Sequence, residues 1–433
     1  GAESVFTCSW FKPHLPTEIR KMIFSGKDLL IRNIGELFQV TDGSTPVAGT
    51  SMANVPSVKG AYLLIRNGLI KSFGPDEAAP PFDGVVIDAN GGLVLPAFVD
   101  CHTHIIFPAS REDEFVMKIR GMDYAAIAKM GGGILNSARK LREISEDELL
   151  NRSRVRLHEV MSMGTGAIEI KSGYGLDTEG ELKMLRVADK LRAETGIPVR
   201  RTFLGAHAIP VGITRQAYIR LIVDEMLPAI TDAKLADDMD VFCEEGFFTP
   251  DETVELLEAG RRFGLMPRVH ANQLSRSGGV QAGVRCSALS VDHLEQIGDE
   301  EIAILKDSDT MPVALPGAAF FLNLPFPPAR RMLEAGLPLA IASDYNPGSA
   351  PSGNLMLMWS LACIKMKMTP EEALNALTIN AACSLQLQHR AGSIAEGKVG
   401  SVIITDPVPS LAYLPYHVGM KSIRNVVING SVI

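Results

Sequence analysis

Two textures of hydrophobic patterning divide the chain. Over residues 24–92, short apolar runs at 29–34, 61–66, 69–73 and 85–88 are separated by Gly, Pro, Asn and Asp, the pattern of short strands joined by turns. Residues 401–405 and 426–433 repeat it, and Asn429-Gly430 is a hairpin signal because both residues tolerate the positive φ of such a turn. The two ends therefore predict one small β-sandwich-like domain assembled from two parts, 23–92 and 395–433.

Between them, apolar strand-like runs alternate with longer stretches of helical period. Strands are predicted at 93–104, 165–171, 199–207, 240–244, 266–272, 288–293, 311–315 and 337–344, and helices at 145–163, 179–194, 215–227, 250–263 and 369–387. Asp251 and Thr369 read as capping or first-turn residues. Eight strands alternating with helices predict an α/β chain whose residues 93–394 form a (β/α)8 TIM-type barrel, although a doubly wound open sheet alternates in the same way.

Composition narrows the class. With 433 residues, 46% hydrophobic and 21% charged, the chain can bury a large core and is not disordered. A net charge of −8 argues against a nucleic-acid partner, which calls for clustered excess Lys and Arg. Six cysteines without a CxxC pair exclude a thiolate zinc cluster and a disulfide scaffold, and suit a reducing cytoplasm. The most apolar stretch, 311–328, carries Pro312, Pro316, Pro325, Pro327 and Pro328, so it cannot cross a membrane as a helix. No secretory signal is evident, Gly1 reads as an expression remnant, and a homodimer is the base-rate expectation.

The candidate chemistry lies in the histidines. Of nine, His102, His104, His207, His270 and His293 fall at the C-terminal ends of predicted strands, and in a barrel those ends converge on one mouth. His102 and His104 are two apart, so on a strand they share a face. A His-x-His pair alone is more often polar surface than a ligand pair. With His270 and with Asp344, which ends the eighth strand, it becomes an N/N/N/O set suited to one zinc or ferrous iron with a position left for water. Asp344 could otherwise be a turn cap ahead of Asn346-Pro347-Gly348, and His293 a core histidine satisfied by a carbonyl. If unliganded, His293 is available as a general acid or base. The end of strand four reads Phe242-Cys243-Glu244-Glu245; it lacks the lysine of a two-metal site, so one metal is expected.

From about Ile23 onward the chain resembles the amidohydrolase superfamily. The motifs are Phe98-Val99-Asp100-Cys101-His102-Thr103-His104, Arg111 with Glu114-Phe115, Gly131-Gly132-Gly133-Ile134, Lys171-Ser172-Gly173-Tyr174-Gly175-Leu176, Gly205-Ala206-His207, His270-Ala271-Asn272-Gln273, Asp292-His293-Leu294 and Asp344-Tyr345-Asn346-Pro347-Gly348. Arg111, Tyr174 and the Asn346-Pro347-Gly348 turn point to the branch that hydrolyses the cyclic amide of 4-imidazolone-5-propanoate to N-formimino-L-glutamate. The resemblance implies metal ligands His102, His104, His270 and Asp344. It implies substrate contacts by Arg111, Tyr174, His207, Gln273, Asn346, Gly348 and Ser349, and catalysis by His293 and Asp344. On this reading Arg111 grips the propionate, because a guanidinium meets a carboxylate bidentately. Tyr174 approaches on a flexible Gly-flanked loop, and Gln273, which does not titrate, orients the substrate. The sequence departs from the family at Asn272, where an acid is expected, at Ser349 in place of threonine, and in the Pro108-Ala109-Ser110 loop. Residues 1–22 carry no motif of the resemblance, and Gly131-Gly132-Gly133 is a candidate hinge or substrate-approach segment. The competing expectations are a ring deaminase, which shares the metal set but gives Arg111 no carboxylate to meet, and a non-catalytic barrel, which should have lost a ligand.

Overall fold

A computed structural model of the chain describes residues 27–122 and 132–433. The chain opens with strands β1 (Leu29–Phe38), β2 (Ser57–Arg66), β3 (Leu69–Pro75), β4 (Val85–Asp88) and β5 (Leu93–Pro96). It then runs through β6 (Phe98–Asp100), β7 (Thr165–Lys171), β8 (Val199–Ala206), β9 (Asp238–Cys243), β10 (Met266–Ala271), β11 (Ser290–His293), β12 (Met311–Ala314) and β13 (Ala340–Ile341). It returns with β14 (Val402–Thr405), β15 (Ile423–Ile428) and β16 (Ser431–Val432).

The first and last groups form one eight-stranded sheet, joined where β5 pairs antiparallel with β14. β1 forks this sheet. Its first half pairs with β4 and its second with β5, and a bulge between Ile31 and Ile34, with Asn33 at φ 53°, separates the two halves. Side chains from both ends of the chain, among them Leu29, Ile31, Leu63, Val402 and Val427, share one core. Asn429 and Gly430, at φ 49° and 76°, make the expected hairpin turn between β15 and β16.

The middle eight strands are parallel and run in chain order from β6 to β13. They read as near-continuous apolar runs because both faces are covered, and every residue of β7 and β9 is buried. The seam between the last and first strands is bridged at the C-terminal end: Asp344 N–H donates to the His102 carbonyl at 3.0 Å, and His104 N–H to the Tyr345 carbonyl at 2.9 Å. This closes a barrel and disposes of the open-sheet alternative. Helices begin where the sequence supplies caps, with Ser145 and Asp177 accepting at N-caps and capping boxes at Thr249/Glu252 and Thr369/Glu372.

Several expected elements differ. The strand expected at 93–104 is two strands in two sheets, β5 and β6, parted at Ala97, because Val94 faces the core of the small sheet while Phe98 and Val99 enter the barrel. The helix expected at 215–227 extends to Asp232 through a π turn at Ile222–Met226. The one expected at 369–387 breaks at Thr378, at φ −127° and ψ −86°. Gly131 of the candidate hinge lies outside the described residues.

Candidate active site

The seam that closes the barrel also assembles the site. By drawing residue 344 against residues 102 and 104, it brings Asp344 Oδ1 to 3.5 Å from both His102 Nε2 and His104 Nε2. His270, on β10, adds its Nε2 at 3.3 Å from His104 Nε2. Ligand-type atoms of His102, His104 and His270 lie within 4.8 Å of one another, and so do those of His102, His293 and Asp344. All five residues are buried.

This donor set fits a metal ion. His102 Nε2 is buried with no hydrogen-bond partner among the described residues, a condition costing about 1–3 kcal/mol unless a donor or a cation meets its lone pair. Burial holds His102 and His104 well below the usual histidine range and lowers His270 to about 4, there against the opposing pull of Asp240. These imidazoles are therefore neutral, as ligands must be.

Carboxylates beneath the cluster orient it. His102 Nδ1 sits 2.6 Å from Asp292 Oδ2, and His270 Nδ1 sits 3.1 Å from Asp240 Oδ2. Each leaves its Nε2 facing the cluster. Lys171, wholly buried, binds Asp240 at 2.8 Å and Glu169 at 2.7 Å, with Asp292 4.0 Å away. Removing one member of such a buried network costs about 3–5 kcal/mol because it strands the opposite charges. These residues carried no assigned role in the sequence. Asp292 was hidden by strand alternation, which would turn it away from its neighbour His293; the backbone at His293, at φ 92°, breaks the alternation and lets both side chains approach His102.

His293 differs from the other histidines. Burial alone would lower its pKa, but the Glu295 carboxylate, 3.4 Å from Nδ1, together with Asp344 and Asp292, raises it. Burial pushes Asp344 up to about 6, with His293 opposing. His207 is lowered by burial to about 3, and its Nδ1 meets the Gly173 carbonyl at 2.9 Å. A neutral ring donating there presents an acceptor at Nε2.

Above the cluster is a cavity of about 560 Å³ lined by His104, Arg111, Tyr174, His207, Gln273, Asn346, Gly348 and Ser349, along with His270, His293 and Asp344. Every expected substrate contact thus reaches one space. The Pro108-Ala109-Ser110 loop is anchored: Arg152 donates to the Pro108 carbonyl, while Arg156 donates to Ile105 and Phe107 and stacks on the Phe107 ring. The guanidinium of Arg111 lies over Gly348, where any Cβ would collide with it. The Tyr174 loop is pinned where flexibility was expected, since buried Glu181 accepts the backbone N–H groups of Gly173, Gly175 and Leu176. Glu244 does the same for Gln273 and Leu274. The Asn346 side chain builds its own turn, accepting from Gly348 and Ser349 and donating to the Asp344 carbonyl. Asn272 sits at φ 55° beside the cavity wall but does not line it, and asparagine tolerates that backbone. Lys118, Phe115, Phe242 and Phe321 also line the cavity and were not anticipated.

Residues 93–433 match the model of the amidohydrolase family. The chain is 52% identical to an imidazolonepropionase of Flavobacterium johnsoniae over 93% of this chain and 99% of that one. It is 41% identical to an imidazolonepropionase of Caldanaerobacter subterraneus, over 92% and 96%. Among solved structures, an atrazine chlorohydrolase mutant of Arthrobacter aurescens complexed with zinc and atraton shares the fold with a TM-score of 0.74 at 16% identity, covering 93% of this chain and 94% of that one. An adenosine deaminase of Xanthomonas campestris with bound zinc does so at 0.67 and 16%, covering 94% and 92%.

Proposed function

The chain belongs to the amidohydrolase family and, within it, to the imidazolonepropionases, and we propose that the cavity at the mouth of its barrel is where 4-imidazolone-5-propanoate is opened to N-formimino-L-glutamate. The enzyme is a hydrolase of a cyclic amide bond in histidine degradation. One observation supports the placement above the others: the Arg111 guanidinium and the histidine cluster face the same cavity. A substrate with a ring amide at one end and a carboxylate at the other matches that polarity.

His102, His104, His270 and Asp344 would hold one divalent transition metal, zinc or ferrous iron. Bound there, such an ion supplies Lewis acidity and acidifies water toward about neutral pH. The protein supplies the rest. Arg111 holds the propionate, with Gly348 leaving it room. Neutral His207 accepts from a ring N–H, while Tyr174, Gln273, Asn346 and Ser349 fix the ring's orientation. Protonated His293 donates to the carbonyl oxygen as negative charge develops on it. Water oxygen bonds to the ring carbonyl carbon, the carbon–nitrogen bond breaks, and Asp344 passes a proton to the departing ring nitrogen. Asp344 takes that proton from the attacking water, so one carboxylate serves first as base and then as acid.

No helix among the described residues is long and apolar enough to cross a membrane, and the described cysteines are free. These features support a cytoplasmic enzyme, for which a homodimer is the base-rate assembly.

Replacing Arg111 tests the orientation. Arg111→Ala should impair turnover of imidazolonepropanoate far more than turnover of an analogue lacking the propionate. Equal losses for both would favour a deaminase-like site that has no carboxylate to read.

A further inference from the structure

The helix Glu112–Ile119 follows directly from Arg111, which occupies its N-cap position. Positions 111, 115 and 118 fall on one face, being four and then three residues apart, and Arg111, Phe115 and Lys118 all line the cavity. Lys118 Nζ donates to the Gly348 carbonyl at 3.0 Å. Gly348 is also the residue against which the Arg111 guanidinium packs. The two cations therefore meet the same short turn from the same helix.

Their counter-charges are unequal. Glu114 Oε2 lies 3.1 Å from Arg111 Nε, and the other oxygen of Glu114 accepts from the Gly133 N–H and Asn136. Among the described residues, Lys118 has no carboxylate within ion-pair distance. An ammonium carries three donors, and the carbonyl of Gly348 uses one. Among the described residues, two cations against one carboxylate leave this wall with one positive charge in excess. Burial and the neighbouring Arg111 both disfavour the charged form of Lys118, with Glu114 opposing. An incoming anion relieves that strain.

We propose that Lys118 is a second substrate-binding residue, which closes with Arg111 on the carboxylate of the substrate as a two-cation clamp. Arg111 supplies directed, planar donors, and Lys118 supplies a point charge from the adjacent side of Gly348. The clamp deepens the functional reading above and rests on it. It assigns specificity for a carboxylate-bearing ring to two residues seven apart, where the motif alone points to one. Lys118 is far from the reacting bond in role, so its loss should act on binding and leave the chemical step.

The test compares Lys118→Met and Lys118→Arg in the metal-loaded enzyme. Lys118→Met should raise KM for imidazolonepropanoate about tenfold or more while changing kcat little, since a hydrogen bond to a charged group is worth that much; Lys118→Arg should restore most of the loss. In a second arm, calorimetry measures binding of imidazole-4-propanoate and of its uncharged amide. Lys118→Met should weaken the acid and leave the amide unchanged. An unchanged KM, or equal weakening of acid and amide, would overturn the clamp. If Arg111→Ala loses the acid and Lys118→Met does not, the clamp fails while the functional reading stands. If the wild-type enzyme binds the acid better than the amide through both residues yet does not consume imidazolonepropanoate, the functional reading fails and the clamp stands.

Discussion

Asp292 Oδ2 lies 2.6 Å from His102 Nδ1, both side chains wholly buried. The carboxylate fixes the imidazole tautomer so that Nε2 faces Asp344, and it increases the basicity of the ring. Asp292→Asn keeps the shape but removes the charge. It should lower metal affinity about 10- to 100-fold, read by competition with a chelator. The unmodified enzyme should hold one metal per chain by elemental analysis, since the end of the fourth barrel strand, Phe242-Cys243-Glu244-Glu245, carries no lysine to bridge a second ion. Two equivalents per chain would contradict the single-site arrangement.

Gly348 leaves no space for a side chain because the Arg111 guanidinium occupies it. Its backbone is not in the positive-φ region, so alanine introduces no backbone strain, and the atom it displaces is the end of a long side chain. Gly348→Ala should therefore fold with a melting temperature within about 2 °C of the parent. It should raise KM for imidazolonepropanoate about tenfold by dislodging Arg111. A large loss of stability with unchanged KM would mean that Gly348 serves the fold.

The pH profile tests His293. Burial opposes its charge, and Glu295 with Asp344 and Asp292 more than offsets that, so its pKa is raised. The active form proposed is the protonated one, so its contribution to rate is present at low pH and lost as pH rises through that raised pKa. Glu295→Gln removes the main charge that holds the proton. The basic limb of kcat should then move to lower pH, with the acidic limb shifting less. A basic limb that stays in place would assign it to another group.

The alternation of strands and helices was legible because parallel barrel strands are buried on both faces and stand out as apolar runs. The strand-end histidines were legible for the same reason: each follows such a run. What could not be read depends on contacts distant in sequence. The parting of 93–104 at Ala97 is set by β14, some three hundred residues later, which pairs with β5. Residue 344 was expected to end a strand; β13 itself covers only Ala340–Ile341, and Asp344 reaches the site on a following turn at φ 56° held to His102. The clearest missed signal was local. Arg111, Glu114, Phe115 and Lys118 have the spacing of one helix face, and a reading of that face would have added Lys118 to Arg111.

The central claim is that this cavity opens imidazolonepropanoate, and the direct measurement is a coupled assay in which urocanase generates the unstable substrate in situ. With metal-loaded enzyme, the substrate should disappear much faster than it decays alone, with N-formimino-L-glutamate formed in equal amount, and Arg111→Ala should abolish most of that acceleration. Disappearance at the spontaneous rate, with no N-formimino-L-glutamate, would contradict the account.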